Sequence, residues 1–251
     1  MKEQITVRGI VLAQTPVGEY DRRVVILTLE KGKISAFARG AKKPNSMLSG
    51  VSQPMTFGTF TLYPGKNSYT LLSVEVENYF AELKKDLLKV SYGTYFMELA
   101  SYLTRENNDE RQILKLLYQS LRVMEKGTVP LKLVRCIYEI RLLTCFGEGM
   151  QVFECSLCGS TEELTHFSAL RGGVICNKCW KHAIDSVWLV DACLYTLQFI
   201  IATPIEKVFS FVVSEKVEER LMRISREFLK RHLPGEFKSL EMLEVLEGGS
   251  F

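Results

Sequence analysis

The hydrophobic pattern of this chain changes period near Lys84, and the change predicts two kinds of structure. Before it lie short segments that are rich in β-branched residues and bounded by glycine, proline or charged turns, as strands are. The predicted strands are Ile5–Leu12, Arg23–Glu30, Lys33–Gly40, Thr56–Tyr63 and Tyr69–Tyr79. The segment Ala41–Pro54 contains turn residues without periodicity and is predicted to be a loop. Five strands within about 80 residues favour a small closed β barrel.

Beyond Lys84 the apolar residues recur at steps of three and four, which is the spacing of amphipathic helices. Such stripes indicate the buried core of a helical region rather than contacts to a cofactor. Helices are predicted over Leu87–Leu103, Ile113–Met124, the stretch from Pro130 to Gly147, Val187–Ala202 and Ser214–Leu233. A capping-box signal at Asp109 and Gln112 precedes the second of them. The chain is therefore predicted to be an α+β protein of more than one domain.

Four cysteines in the helical part form the pattern C-x2-C-x17-C-x2-C. They are Cys155, Cys158, Cys176 and Cys179. Two CxxC pairs separated by 15–20 residues are a common zinc-binding arrangement, because each pair supplies two thiolates from one tight turn. Four thiolates complete a tetrahedral zinc site and leave no position for water. The pattern therefore predicts a structural Zn²⁺ rather than a catalytic one.

Other chemistry for the cysteines finds less support. A redox CxxC would need only one pair in a thioredoxin-like βαβ setting, which the predicted elements do not provide. A zinc deaminase would need Pro before the second CxxC and a partner x-E motif, and neither is present. The remaining cysteines are predicted to be buried on helices and are Cys136, Cys145 and Cys193.

Signatures of an enzyme are also missing from the sequence. No P-loop motif is present, so the sequence predicts no ATP-driven step. There is no G-x-S-x-G elbow, and the three histidines form no plausible catalytic triad. We therefore predict a binding protein and not a catalyst.

The net charge is only +3, but the basic residues are unevenly distributed. Between Arg22 and Lys43 lie seven basic residues and one acid, Glu30, which leaves a local charge of +6. A patch of this kind suits a phosphate-bearing partner such as nucleic acid. The alternative is an ordinary solvated face of the β sheet.

The sequence carries no signal for a membrane. No run of 18 apolar residues occurs, so no transmembrane helix is expected. Glu3, Gln4 and Arg8 lie where a secretory signal would need its apolar core. A cytoplasmic location is expected, and structural disulfides are therefore not.

Together these segments resemble the RecO family of bacterial DNA-repair proteins, the recombination mediators. The resemblance rests on Arg8–Ser46, on Tyr138–Gly159 ("YEIRLLTCFGEGMQVFECSLCG"), on Phe167–Cys179 ("FSALRGGVICNKC") and on Lys238–Leu243 ("KSLEML"). It spans nearly the whole chain in the order of the family. No single motif decides it, but the combination is specific.

The resemblance implies a domain organisation. Residues 1–80 are expected to form an OB-fold, nucleic-acid-binding domain. Residues 81–150 and 181–251 are expected to form an α-helical domain. Residues 151–180 are expected to form an inserted four-cysteine zinc module.

The resemblance also implies a function in DNA repair and homologous recombination. The family binds single- and double-stranded DNA and anneals complementary single strands without ATP. With RecR it helps to load RecA onto DNA coated by single-stranded DNA-binding protein, whose acidic C-terminal tail it contacts. The expected location is the bacterial cytoplasm, at the nucleoid during repair.

An OB barrel binds single strands through a basic groove with interleaved aromatic residues. The expected DNA-binding residues are Arg22, Arg23, Lys33, Arg39, Lys42 and Lys43, the last three foremost because a loop with glycine and proline carries them. Phe37 could stack on a base or lie in the barrel core, and alternation does not decide between the two. DNA contacts of the cysteine module through Arg171, Lys178 or Lys181 are left open, with a structural role favoured.

Two rival functions remain at this point. The first is a scaffold that binds no DNA and uses a structural zinc to stabilise a protein-docking module. The second is a zinc-dependent nucleic-acid enzyme, which a closed set of four thiolates argues against. Arg135 and Arg141 on the third predicted helix could receive an acidic tail, although simple exposed helix charges are the alternative.

Overall fold

The structure is a computed structural model that describes residues 3–248. These residues divide into two compact units. The first runs to Glu125 and takes up the chain again at Phe237, and the second is Lys126–Glu236. Among the described residues, no helix is both long enough and apolar enough to cross a lipid bilayer.

The strands of the first unit are β1 (Ile5–Val17), β2 (Asp21–Thr28), β3 (Gly32–Ala38), β4 (Phe57–Pro64) and β5 (Tyr69–Asn78). They close into a barrel in the order β1-β2-β3-β5-β4, and β4 pairs back onto β1. The pairings are antiparallel except that of β3 with β5, which is parallel. The predicted closed, OB-like barrel is confirmed.

Apolar side chains fill the barrel on the inward side of each strand. In β3, Ile34, Ala36 and Ala38 are buried, while the residues between them are only partly so. The core is completed by Val7, Val11, Val24, Ile26, Ala41, Phe60, Leu62 and Leu71. Because the side-chain period of a strand is two, this core fixes the alternate residues on the outer surface.

The helices are α1 (Leu48–Val51), α2 (Leu87–Leu103), α3 (Arg111–Lys126), α4 (Leu131–Phe146), α5 (Asp191–Ala202), α6 (Glu215–His232) and α7 (Lys238–Leu246). The first unit holds α1, α2, α3 and α7, and α7 packs against α2. The carboxylate of Asp86 caps α2 by accepting the backbone N–H groups of Leu88 and Lys89 at 2.9 and 3.1 Å. Before α3, the carboxylate of Asp109 accepts the backbone N–H of Arg111 at 3.2 Å.

Four sequence predictions of elements need correction. Strands form at Leu164–Ser168 and Gly173–Cys176, where none is predicted. Within the predicted loop Ala41–Pro54, one helical turn, α1, is formed. The predicted helix over Val187–Ala202 begins only at Asp191, because Val187 and Trp188 form a strand that pairs with another part of the chain. The helix α7 was not predicted at all. Short apolar runs do not distinguish strand from helix, and partners distant in sequence decide between them.

The second unit combines α4, α5 and α6 with a small antiparallel sheet. Its strands are β6 (Leu164–Ser168), β7 (Gly173–Cys176) and β8 (Val187–Trp188), in the order β7-β6-β8. The helix α4 ends at Gly147, which has φ of 96° and caps the helix in the left-handed conformation, as predicted. Both α5 and α6 pack against α4.

A buried ion pair within α4 is linked to α6 by a hydrogen bond. The guanidinium of Arg135 donates to the Glu139 carboxylate at 2.8 Å, and both side chains are 1% exposed. The second carboxylate oxygen of Glu139 accepts the Ser225 hydroxyl of α6 at 2.5 Å. Two charges removed from water in this way stabilise each other, so the loss of one leaves the other buried without its counter-charge.

Neither Arg135 nor Arg141 is an exposed helix charge. Arg135 belongs to the buried pair, and the guanidinium of Arg141 donates to the carbonyls of Ile200 and Ile201 at 3.1 and 2.6 Å. Those carbonyls lie at the end of α5, where a cation satisfies acceptors that the helix leaves open. Both alternatives proposed for these arginines, an acidic-tail site and a free surface charge, are wrong.

The backbones of β4 and β5 approach each other closely at Gly58, and this contact gives a first test. A Cβ atom on Gly58 would lie 2.2 Å from the carbonyl oxygen of Glu75 on the neighbouring strand. Gly58→Ala should therefore force the strands apart and lower the free energy of unfolding by about 1–3 kcal/mol, measured by urea denaturation. Gly50→Ala is the control, because its Cβ meets nothing within 4 Å. An equal loss of unfolding free energy in the two variants would contradict the close approach of the strands at Gly58.

The buried ion pair gives a second test. Glu139→Ala removes the carboxylate that faces a buried guanidinium and should cost about 3–5 kcal/mol of unfolding free energy. The control is Glu82→Ala, which breaks the exposed Glu82–Lys85 pair of 2.6 Å and should cost less than about 1 kcal/mol. Chemical denaturation of both variants measures the difference. A cost for Glu139→Ala as small as that of the control would show that the pair does not hold α4 to α6.

Candidate nucleic-acid interface and metal centre

Two loops of the barrel are held together at the end of β3. The carboxylate of Asp21 accepts the backbone N–H of Gly40 at 2.7 Å. The backbone N–H of Lys42 donates to the carbonyl of Tyr20 at 2.8 Å. The turn between β1 and β2 is thereby fixed against the loop that follows β3, so the basic residues of that loop have a defined place on the barrel.

Arg39, Lys42 and Lys43 are all exposed on this loop. The ammonium group of Lys43 lies 5.5 Å from the centroid of the Tyr20 ring, and Tyr20 is itself 44% exposed. Tyr20 was not among the predicted site residues. The signal available in the sequence was its position in a charged turn directly before Arg22 and Arg23, but only the fold brings it beside the loop.

Arg23 and Phe37 extend the surface along the outer face of β2 and β3. Their Cα atoms are direct cross-strand partners, and the Arg23 guanidinium donates to the Ser35 hydroxyl at 2.7 Å. Phe37 is half-buried on the outside of the barrel and is not a member of its core. The burial pattern of β3 in the structure thus shows that Phe37 lies on the outer surface of the barrel and not in its core.

The remaining two predicted residues direct their charges into the protein. The guanidinium of Arg22 donates to the Ser49 carbonyl at 2.7 Å and to the Ser52 hydroxyl at 3.1 Å, and so holds α1. The ammonium group of Lys33 donates to the carbonyl of Ser101 near the end of α2. Burial, assisted by the nearby charge of Arg105, lowers the pKa of Lys33.

Six residues lie on the outer side of β2 and β3 and on the two loops joined at the end of β3, and we call them together the basic face. They are Tyr20, Arg23, Phe37, Arg39, Lys42 and Lys43. The basic face offers four cationic groups for phosphates and two rings for bases or sugars. Such a combination is what a barrel of this type uses to hold single strands.

The four cysteines of the CxxC pairs meet in the second unit. The sulfur atoms of Cys155, Cys158, Cys176 and Cys179 all lie within 4.8 Å of one another. Each pair sits on a tight turn: the N–H of Gly159 donates to the carbonyl of Cys155 at 2.8 Å, and that of Cys179 to the carbonyl of Cys176 at 3.0 Å. Gly159 has φ of 74°, which favours glycine at that turn.

The geometry of this cysteine centre fits a tetrahedral metal site. Four sulfur atoms at about 2.3 Å from a zinc ion would be separated by about 3.8 Å. The Sγ atoms of Cys158 and Cys176 are 3.7 Å apart. This distance is far too long for a disulfide, and all four cysteines are free thiols in the structure. His166 and His182 are not members of the group.

The thiols of the cysteine centre have unequal proton affinities. Burial alone would raise the pKa of Cys155, but the backbone N–H groups of Cys176, Leu157 and Cys158 lower it to about 6. Hydrogen bonds that the Cys179 thiol donates to the sulfur atoms of Cys158 and Cys176 raise the pKa of Cys179 to about 12. Crowded sulfur atoms cannot all ionise without a cation among them, so the arrangement favours metal binding.

Two models of known families together match nearly the whole chain. The family model "Recombination protein O N terminal" matches residues 1–80, and "Recombination protein O C terminal" matches residues 84–241. The chain belongs to the RecO family. The resemblance found in the sequence is confirmed, and with it a place among the DNA-repair proteins of bacteria.

Relatives in this family align along most of the chain. The DNA repair protein RecO of Acetivibrio thermocellus is 33% identical over 241 residues, covering 95% of this chain and 96% of the relative. That of Alkaliphilus metalliredigens is 30% identical over 247 residues, with coverage of 96% and 99%. That of Bacillus pumilus is 37% identical over 173 residues, with coverage of 69% and 67%.

The cysteine centre predicts one metal ion per chain. Cys158→Ser should abolish stoichiometric metal in the purified protein, because a hydroxyl replaces one of four thiolate ligands. Metal content by atomic emission is the measurement. Cys145→Ser, which changes a cysteine outside the group, should leave the content unchanged. Full metal content in Cys158→Ser, or none in the unsubstituted chain, would contradict the site.

Proposed function

We propose that this protein is a recombination mediator that binds single- and double-stranded DNA through the basic face and anneals complementary single strands without ATP. The observation that carries the proposal is that four exposed cations, an exposed Tyr20 ring and a half-buried Phe37 ring lie on the outside of an OB-like barrel. Membership of the RecO family supports the same function.

The roles of the side chains follow from their chemistry. Arg39, Lys42 and Lys43 contact phosphates, because their charged groups lie on an exposed loop. Tyr20 and Phe37 stack on unpaired bases, which every base permits through its π face. Arg22 and Lys33 act indirectly by holding α1 and the end of α2 in place beside the barrel.

Annealing requires no external energy because base pairing itself releases free energy. The barrier arises from repulsion between two polyanions that approach each other. A basic surface neutralises part of that charge and raises the local concentration of the second strand. The basic face can therefore accelerate pairing while it contributes no covalent chemistry.

The cysteine centre holds a structural Zn²⁺ in this proposal. When bound, the ion supplies a cross-link between the two turns that carry the cysteines. Its four thiolate ligands are Cys155, Cys158, Cys176 and Cys179, and a set of four leaves no open position for a reacting water. The protein accordingly acts as a binding protein and not as an enzyme. The expected domains are an OB domain (1–80), a helical domain (81–150 and 181–251) and a metal module (151–180). In this proposal the OB domain binds DNA, and the metal module stabilises the fold.

The proposed partners are those of a mediator. In the bacterial cytoplasm, at the nucleoid, the chain would act with RecR, contact the acidic tail of single-stranded DNA-binding protein and so promote RecA loading. Arg135 and Arg141 are both committed to internal contacts, which leaves the acidic tail to other cations of the chain. A scaffold without DNA is the competing function, and DNA binding separates the two.

Charge reversal on the basic face tests the proposal. Lys42→Glu with Lys43→Glu should weaken binding of single-stranded DNA by about tenfold or more and reduce the slope of log affinity against log salt by about 1.4. Fluorescence anisotropy at several salt concentrations measures both quantities. Annealing of two labelled complementary strands should slow in parallel, both for bare strands and for strands coated with single-stranded DNA-binding protein.

The matched control reverses two charges elsewhere. Lys230→Glu with Arg231→Glu changes the net charge equally, on exposed positions of α6. If the control weakens DNA binding as much as the double change on the basic face, net charge and not the proposed surface governs affinity. Absence of DNA binding by the unsubstituted, folded chain would favour the scaffold.

A further inference from the structure

Both tryptophans of the chain lie together in the second unit, around one histidine. The ring of Trp180 is stacked on that of His166, with centroids 4.9 Å apart and an interplanar angle of 6°. The ring of Trp188 meets His166 at 90° and 5.2 Å. We call these three residues the aromatic platform.

The platform is assembled by the metal module and the small sheet. Trp180 begins the 3₁₀ turn directly after the ligand Cys179, and Trp188 belongs to the edge strand β8. The Cα atoms of His166 and Trp188 are cross-strand partners. The backbone therefore sets the positions of all three rings, so the arrangement does not depend on flexible loops.

The three side chains of the platform differ in how much of their surface is exposed. His166 is only 8% exposed, while Trp188 is 54% exposed and Trp180 is half-buried. The histidine covers one face of the Trp180 ring, and Trp188 offers the larger exposed ring surface. An exposed tryptophan is usual at a contact surface, where a ligand later covers the ring.

Cations flank the platform. The ammonium group of Lys181 lies 5.8 Å from the Trp180 ring, and the guanidinium of Arg220 donates to the carbonyl of Trp188 at 3.2 Å. The segment from Asn177 to Ala183 contains no acidic residue.

The acid nearest to this segment in the sequence, Asp185, is already occupied. Its carboxylate accepts the Ser168 hydroxyl at 2.5 Å and the backbone N–H of Leu170 at 2.8 Å. Its charge is thus engaged by donors of the protein. Lys181 and Arg220 thus place two cationic groups at the platform.

From this combination we infer that the aromatic platform is a second binding site for single-stranded DNA. Unpaired bases stack on Trp188 and Trp180, and the adjoining phosphates contact Lys181 and Arg220. Stacking on aromatic side chains tolerates any base and is strengthened by nearby cations. A duplex offers no free base faces along its length, so the platform discriminates against it.

The inference rests on the proposed function for the nature of the ligand but assigns a separate site. The basic face belongs to the first compact unit and the platform to the second. A chain with two sites for single strands gains affinity for one long strand, because the second contact is intramolecular. It also offers each of two complementary strands a place, which suits annealing.

Intrinsic fluorescence provides a selective test, since the chain has no tryptophan outside the platform. Oligothymidylate should quench the emission of the holoprotein in a saturable titration, and a blunt duplex of the same length should not. Anisotropy of a labelled oligothymidylate, measured in parallel, reports binding irrespective of the site. Binding by anisotropy without any change in tryptophan emission would overturn the platform and leave the basic face intact as the proposed site. No binding by either method would overturn both proposals.

Variants assign the effect to the rings. In a chain that also carries Lys42→Glu and Lys43→Glu, Trp188→Ala should reduce the residual affinity for oligothymidylate by about 5- to 100-fold, the range for loss of one stacked base. Trp188→Phe keeps a ring and should retain most of the affinity. Tyr195→Ala removes a 70% exposed ring from α5, a helix without basic residues, and should change nothing.

Metal content, measured on every variant, verifies that the module is folded. An unchanged affinity in folded Trp188→Ala would refute the site, as would an equal loss in Tyr195→Ala. Emission that is insensitive to DNA but shifted by a protein of the repair pathway would also refute it, and would assign the platform to a protein partner instead.

Discussion

The closure of the barrel is the constraint on which the proposed DNA-binding surface depends. The strand β1 pairs with both β2 and β4, and β4 in turn approaches β5 so closely at Gly58 that there is room only for glycine. Once the ring of strands is closed, small and branched residues such as Ala36 and Ala38 must face inward. Their neighbours on β3, among them Phe37, must then face outward. The basic face is thus a consequence of how the core is packed.

The second unit depends on two local solutions to the problem of burying polar groups. The ion pair of Arg135 and Glu139 gives each charge a partner, and Ser225 ties the pair to α6. The cysteine centre gathers four sulfur atoms beside the small sheet. The sheet also has buried apolar side chains of its own, and its Phe167 meets Phe228 of α6. The platform of aromatic rings is built on that module.

The positions of the individual basic residues show that a charge pattern predicts a basic region but not the contacts of each side chain. The six cations predicted to bind DNA are alike in sequence, yet Arg22 and Lys33 are engaged by backbone carbonyls while Arg39 is exposed. Arg141 likewise closes the end of a helix. A guanidinium satisfies carbonyl oxygens as well as phosphates, so its role depends on which acceptors the fold brings near. Tyr20 became a site residue for the same reason.

The sequence by itself determined the number and order of the barrel strands, most helices, the cysteine ligand set and the family. These features follow from local period and spacing, which do not depend on distant partners. Only the tertiary structure decided that Phe37 faces solvent, that Val187 and Trp188 form a strand, and that two tryptophans share one histidine. Each of these is set by a contact between segments far apart in the chain. Such contacts depend on packing and strand register, and local sequence does not specify them.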